Sequence, residues 1–585
     1  MQTPFREAPF RKAGNKADTR QLLLGLCLLS ACSFASFASA NCDRPSDDKT
    51  LFWGDLHVHT SYSLDASVFG TLATPADAYR FAKGEPLTRT DGSTVQLDRP
   101  LDFVAVTEHA EWLDFTSICD STSGEGLADC KNLLTKRSPE NGSALFGEYV
   151  VTTITGAEPK PLSLCVDNPE LCEANALSRW QSVQKQTEAA YEPCTFSTLH
   201  GYEWSHTPNF RHAHRNVIFR SGSVTNEAID YIRFPTVEAL WDELDATCKR
   251  EDQCQALTIP HNTNMGNGIS FELTQASQKS LQQRAQYERL IEITQEKGTS
   301  ECLPPRAEDL SEDCGFELFL TRQSRPTDPE EFSEQEWQQM RSTYARSLVG
   351  RGLAFASDEA PLRMGFIGST DTHAATPGYV DEASWSGSAL AGAGFDAAIR
   401  SNAWSAGGLV GVWAEENTRE AIFDALATRE VYATSGPRIG LRFGLNQGDA
   451  ELCRAEGWTP QATMGEVTQV ASNPTFTVQV QADVTPITSI EIIKLTHNGK
   501  KAHEEVIPLW HKPEGAAVAC IEWTDEQFDS ASATLWYPRI KERPTPRWSA
   551  VQCAAVGRCD EFPQMDTTLQ ERAWGSPIWH VPATN

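Results

Sequence analysis

The 585 residues read as an α/β protein with loops inserted between its units and a smaller β-rich region at the C-terminal end. Three observations carry this reading. Short apolar runs recur from about residue 50 to 440, separated by long polar and helical stretches; several of them end in His, Asp or Glu; and past about residue 440 the texture changes to period-two alternation. The 40% apolar content is that of a folded, globular chain.

At the N-terminus, Arg6, Arg11, Lys12, Lys16 and Arg20 precede an apolar run over 22–31 and the small residues Ala38-Ser39-Ala40, which predicts a signal peptide over 1–40. The expected protein is therefore exported, periplasmic or secreted. Leu29-Ser30-Ala31-Cys32 also reads as a lipobox, so a lipid anchor at Cys32 is the alternative. No other stretch is long and apolar enough to span a membrane.

The apolar runs lie at 51–59, 101–109, 196–204, 216–220, 256–261, 290–294 and 364–371. The segments 110–195 and 300–360, rich in Cys, Glu, Gln, Ser and Pro, are too long to be simple connections and are expected to be insertions. A helix is predicted over 417–431, capped by Asn417 or Thr418. In the tail, 476–482 alternates, and 489–495 leads into His497-Asn498-Gly499, a hairpin turn. These features divide the chain into a main domain over 41–440 and a β-rich domain over 441–585 that packs on it. Trp548, Trp574 and Trp579 read as packing surface.

Fourteen cysteines lie beyond residue 40 and none forms a C-x-x-C pair, which points to disulfides in an oxidising compartment. Cys119/Cys130, Cys165/Cys172, Cys248/Cys254, Cys302/Cys314 and Cys553/Cys559 are spaced as local staples. The net charge of −29 argues against nucleic acid and anionic membranes as partners, since both demand basic patches. It does not forbid an anionic substrate, because a bound cation reverses the field locally.

The chemistry sits at the ends of the runs. In Asp55-Leu56-His57-Val58-His59, extended geometry sends Asp55, His57 and His59 to one face. The second run ends in Glu108-His109, the fifth in His261-Asn262, and the last in Asp371-Thr372-His373. Any one of these fits a satisfied core histidine; four strand ends delivering such groups fit a shared site better. Between them lie His200, Glu203, His206, His212 and His214, and a carboxylate flanked by imidazoles is suited to bridge two cations. Spacing does not decide which of the four histidines ligates. Arg215 and Lys297 are candidates to contact a substrate anion, and Asn262 and Asn264 to orient ligands or substrate.

Taken in order, His57-x-His59, Asp65, His109, Glu203, His261 and Asp371-x-His373 resemble the metal motifs of the PHP (polymerase and histidinol phosphatase) superfamily. The segments 54–63, 295–302, 433–438 and 571–579 further resemble its large secreted branch, catalogued as domain of unknown function 3604. The resemblance covers nearly all of the chain beyond the signal peptide. It implies a distorted (β/α)7 barrel with two or three divalent cations, Zn, Mn or Fe. His57, His59, Glu203 and Asp371 would hold the first; Glu203, His261 and His214 the second; Asp65, His109 and His373 a third. Asp65 stands where the superfamily often has His, which makes the third position harder in character.

The expected activity is hydrolysis of a small-molecule phosphate ester by a hydroxide held between two cations, with His109 or Asp371 passing a proton to the leaving group. No G-x-S-x-G elbow and no G-x-x-x-x-G-K-[ST] loop is present, which leaves water activation as the economical route. Two alternatives stand beside it. One is cleavage of a carbamate or carboxylate ester on the same metals, as in the related carbaryl hydrolase; the other is a non-catalytic extracytoplasmic binding protein stabilised by metal.

Overall fold

A computed structural model describes residues 42, 49–273, 276–303, 313–319, 333–355, 360–392, 404–448, 451–454, 457–497, 502–563 and 565–582. The signal-peptide and Cys32 expectations fall outside these residues, as does the Asn498-Gly499 turn.

Each apolar run forms at least one strand, in most cases shorter than its hydrophobic stretch. β1 is Thr50–Asp55 and β2 is Phe103–Ala105, while the third run splits into β3, Ser197–Leu199, and β4, Gly201–Trp204. The following runs give β5, Arg215–Phe219, β6, Ala256–Pro260, and β7, Leu290–Gln295. The two-residue β8, Gly298–Thr299, folds straight back on β7, and the last run gives β9, Gly365–Gly368. β1, β2 and β3 pair in parallel, as do β7 and β9. β4, β5 and β6 form a separate antiparallel sheet.

The structure is thus mixed α/β with several sheets rather than one continuous parallel ladder. The reason is local. β4 reaches β5 through a loop with no crossover helix, and a direct connection of that kind favours antiparallel pairing, whereas parallel neighbours need a long crossover. Tight backbone approach sets the β1–β2 register: Gly54 lies opposite Phe103, and a Cβ at Gly54 would penetrate its ring.

The insertion after β2 shares a core with β4, β5 and the helix Val237–Thr247. Its long helix α1, Pro169–Ala190, buries Cys172, Trp180, Val183 and Thr187 in a cluster with Trp112, Phe115, Trp204 and Trp241. β10, Leu409–Ala414, then pairs antiparallel with β1. The expected helix follows as α2, Arg419–Thr428; Thr418 caps it, its side chain accepting from the Ala421 amide. β11, Val431–Thr434, extends the sheet beside β10.

In the tail, β12 (Gly440–Leu445), β13 (Thr475–Gln481) and β16 (Val518–Thr524) form an antiparallel layer. The long pair β14, Ile487–His497, and β15, Ala502–Ala516, flanks the expected hairpin turn. β17 (Ala533–Glu542), β18 (Arg572–Gly575) and β19 (Ile578–His580) complete it. β18 pairs with β11, and β17 pairs with both β18 and β14, so tail strands join the sheet that contains β1. Residues 42–585 form one compact unit, and the change of texture at 440 marks a change of strand pattern inside it. Trp548, Trp574 and Trp579 are fully buried.

All fourteen cysteines beyond residue 40 are paired. The five local staples form, and Cys42–Cys194 and Cys453–Cys520 add two long-range links. Seven disulfides indicate an oxidising compartment. No helix among the described residues is long and apolar enough to cross a membrane.

Candidate metal centre

Most ligand residues stand on loops beside the strand ends, with Asp65 on a short helix and Glu203 on β4 itself. Backbone hydrogen bonds lock those loops together: the Asp371 amide donates to the His57 carbonyl (2.9 Å), the His59 amide to Thr372 (2.9 Å), and the Glu203 amide to Glu108 (2.9 Å). Asp371 holds a left-handed φ of 54° and Asn262, next to His261, one of 53°. Such conformations persist in non-glycine residues where the surroundings over-determine them, and here both adjoin the cluster.

Glu203 is its centre. Its Oε1 lies 2.6 Å from His214 Nδ1 and 2.9 Å from His261 Nε2. Its Oε2 faces His57 Nε2 at 3.4 Å, His59 Nε2 at 3.2 Å and His109 Nδ1 at 3.2 Å. Asp371 Oδ1 closes the group, 3.2 Å from both His57 Nε2 and His59 Nε2. To one side, Asp65 Oδ2 meets His109 Nε2 at 2.9 Å and His373 Nε2 at 3.0 Å. All are buried.

Hydrogen bonding alone does not account for this packing. His57 Nε2 and His59 Nε2 lie 3.1 Å apart and both converge on the same two carboxylate oxygens, an arrangement with too few protons for the acceptors present. A cation among four such atoms resolves it. Three overlapping groups, His57/His59/Asp371, His57/Glu203/His261 and His59/Asp65/His109/His373, bring their ligand atoms close enough for one ion each. The donors are all nitrogen and oxygen, a set that suits Zn, Mn or Fe(II). A fourth group, Glu296 with Asp371 and His373, overlaps these, whereas a fifth, Asp114 with Cys165 and Cys172, is no candidate, because those sulfurs form a disulfide.

The electrostatics agree. Burial opposes charge on every member, but the mutual attraction of carboxylates and imidazoles overrides it and holds Asp65, Glu203 and Asp371 well below the usual carboxylate range. Burial would likewise lower His57, His109 and His373. The neighbouring carboxylates outweigh that penalty, pushing His57 well above its ordinary value, His109 to about 9 and His373 to about 10. His214 moves the other way, to about 4, because burial outweighs its contact with Glu203. The raised values reflect the strong negative field of the buried carboxylates, a field that divalent cations would satisfy.

A second layer, which sequence reasoning missed, fixes the rings. Glu292 of β7 sits 3.1 Å from His57 Nδ1; Ser63 Oγ is 2.8 Å from His59 Nδ1 and donates to Glu108; Ser205 Oγ is 2.6 Å from His109 Nδ1 and donates to Glu111. Glu296 lies 2.9 Å from His373 Nδ1, and Thr207 Oγ1 2.7 Å from His214 Nε2. For His57, His59, His214 and His373 the partner occupies the nitrogen turned away from the cluster, which leaves the other to ligate, whereas His109 Nδ1 meets both Ser205 and Glu203 and Nε2 faces Asp65.

Several expected residues lie elsewhere. Asp55 does not share the face of His57 and His59: β1 ends at Asp55, and its carboxylate takes Thr370 Oγ1 (2.6 Å) and the Gly378 amide (2.9 Å), with burial raising it to about 6. Arg215 does not reach the site, because its guanidinium is buried against Glu288 at 2.9 Å and donates to the Ala213 and Ser270 carbonyls. His200 pairs with Glu188 at 2.5 Å, and His206 packs against Trp204 and Tyr231. His212 stacks on His214, ring centroids 4.6 Å apart, without touching Glu203. Of the four central histidines, His214 alone reaches that carboxylate. His109 and Asp371, expected to move a proton, are enclosed: both nitrogens of His109 and both oxygens of Asp371 are engaged inside the cluster. Asn262 accepts from Gln295, and Asn264 donates to the Lys297 carbonyl at 3.0 Å.

The family described as a protein of unknown function, DUF3604, matches residues 46–509 and 508–582. Among solved structures, the chain is similar to a two-domain protein from Bacteroides vulgatus described as containing a predicted PHP-like metal-dependent phosphoesterase. Identity is 11% and the TM-score 0.28, over 85% of this chain and 94% of that chain. No curated protein matches.

Proposed function

The chain belongs to the DUF3604 family, and from that premise and the geometry of the centre we propose an exported metal-dependent hydrolase, a phosphoesterase that works with two or three divalent cations. The observation that carries this is the division of labour on Glu203: one oxygen serves His214 and His261, the other His57, His59 and His109. A carboxylate so placed is built to bridge two ions. In this reading the strands from β1 to β9 form a distorted barrel of the PHP kind whose loops meet at one end; the bridges Val58–Thr372 and His109–Glu203 support it.

His57, His59, Glu203 and Asp371 would hold the first cation, Glu203, His214 and His261 the second, and Asp65, His109 and His373, with His59 beside them, the third. Bound cations supply a Lewis-acidic centre that activates water and polarises the ester oxygens. The protein's share is positioning. Glu292, Ser63, Ser205, Glu296 and Thr207 hold the rings in the orientation that presents ligand nitrogens inward. The buried setting keeps donors and charges fixed before substrate arrives.

The experiment is a metal-reconstituted preparation assayed on aryl phosphate mono- and diesters, carboxylate esters and carbamates, beside Asp371→Ala. Turnover of phosphate esters that Asp371→Ala abolishes is expected. Turnover confined to carbamates would overturn the phosphoesterase reading, and no turnover at full metal loading would favour a binding protein.

A further inference from the structure

The sequence of 295–302 places two charged residues, Glu296 and Lys297, between strands β7 and β8. Gln295 pairs directly with Gly298, so these two residues are the whole turn of a tight hairpin. Gly298 closes it with a left-handed φ of 77°, and any Cβ there would collide with the Glu317 carbonyl. The turn is pinned from both sides: the Lys297 amide donates to Gln295 Oε1 at 2.5 Å and its carbonyl accepts from Asn264 Nδ2 at 3.0 Å. Both side chains consequently reach the 371–373 loop, Glu296 on His373 and Lys297 on Asp371.

Among the described residues, Lys297 is the one Lys or Arg that forms an ion pair with a member of the ligand cluster. Its partner is Asp371 Oδ2, the oxygen turned away from His57 and His59. An ammonium carries three N–H donors. One is used on Asp371, and the next carboxylate, Glu296 Oε1, lies at 3.8 Å, beyond hydrogen-bond reach. The side chain is 12% exposed, in contrast to Asp371 at 2%, so Lys297 rather than the carboxylate lies at the edge of the buried centre. A counter-ion for Asp371 alone has no need of that edge. If Asp371 Oδ1 serves a cation, its negative charge is shared, and Lys297 keeps positive charge and unspent donors.

We infer that Lys297 anchors the anionic group of the substrate, gripping a non-bridging phosphoryl oxygen beside the cations and so favouring anionic over neutral esters. The inference rests on the proposed esterase reading and names the charge class its substrate carries. Arg215, the other cation that the sequence offered, is consumed by Glu288.

Inorganic phosphate is the probe. Calorimetric titration of the metal-loaded protein should show binding that Lys297→Gln weakens about tenfold or more and Lys297→Arg largely restores, as expected on losing a charge-assisted contact. Metal content should be unchanged in both variants. Should Lys297→Gln fail to fold, a crystal of the metal-loaded wild type soaked in phosphate decides, with a phosphate oxygen expected within hydrogen-bond distance of Nζ. Unchanged phosphate affinity in Lys297→Gln, no phosphate binding by the wild type, a soaked phosphate away from Nζ, or loss of cations from the variant would each overturn the proposal; the last would make Lys297 a positioning residue for Asp371. Turnover of neutral carbamates alone would fail the phosphoesterase reading and this inference together, whereas turnover of phosphate esters with phosphate affinity unchanged in Lys297→Gln would fail this inference alone.

Discussion

Glu292 shows what a single residue does here without touching the cluster's centre. It sits on β7 among Leu290, Ile291 and Ile293, fully buried, and its carboxylate turns His57 Nδ1 outward so that Nε2 points in. Replacing it with Ala should weaken metal binding 10- to 100-fold, the order found when such orienting partners are removed, while the fold is retained; competition with a chelator checks this, and unchanged affinity would show that His57 needs no such support. His57, His59, Asp371 and His373 were legible because they fall two apart at the ends of apolar runs, whereas Asp65, within a short helix, entered only through the family resemblance. Glu292, Ser63 and Ser205 were not, since an acid inside a strand or a serine after one has no spacing that separates a ring-orienting role from a solvated one.

Glu382 gives a second residue-scale expectation, away from the site. Burial, reinforced by Glu317, raises its carboxyl to about 8. A raised acid stabilises the fold fully below its ordinary value of 4.5 and loses that contribution as pH climbs through about 8. Thermal stability should therefore fall between pH 5 and pH 9, and less steeply in Glu382→Gln, which keeps an acceptor for the Trp548 amide. Identical slopes in the two proteins would show that Glu382 is already ionised in the fold.

At the scale of elements, the hairpin of β7 and β8 couples turn geometry to chemistry. Gly298→Ala forces a side chain into a left-handed position already crowded by Glu317, at a cost of about 2 kcal/mol, and should shift both Glu296 and Lys297. A drop in melting temperature with at least about tenfold loss of turnover is expected; full activity would mean that the turn tolerates displacement. The seven apolar runs were readable as strands because burial on both faces demands continuous hydrophobic stretches. Their partners were not. Alternation and apolarity fix which face is buried and leave open whether a neighbour runs parallel, so the antiparallel set β4, β5 and β6 and the return of β10 onto β1 emerge only from the structure.

For the whole molecule, the sequence texture changes near residue 440 while strand pairing runs across that point. β17 and β18 are strands of the sheet that holds β1, and the buried Glu301–Arg346–Arg539 network ties the second insertion to β17. Removing residues 441–585 strips β11 of β18, one of its two partners, and exposes the apolar face shared with β14 and β17. A chain ending at 440 should thus fail to give a cooperatively folded, soluble protein, as judged by near-ultraviolet dichroism and thermal unfolding. A sharp unfolding transition in that fragment would restore the two-domain division. The disulfides were half legible for the same reason: short loops announce their pairs, whereas Cys42–Cys194 and Cys453–Cys520 depend on a topology that spacing does not encode.

The central claim, that Glu203 bridges two cations in a catalytic metal centre, is tested most directly by metal analysis of the purified wild type and Glu203→Gln after equilibration with Zn, Mn or Fe(II). About two or more ions per chain in the wild type, and loss of about one or more in the variant together with its activity, is the result predicted. A wild type that binds no metal, or a Glu203→Gln variant that keeps its full complement, would contradict it.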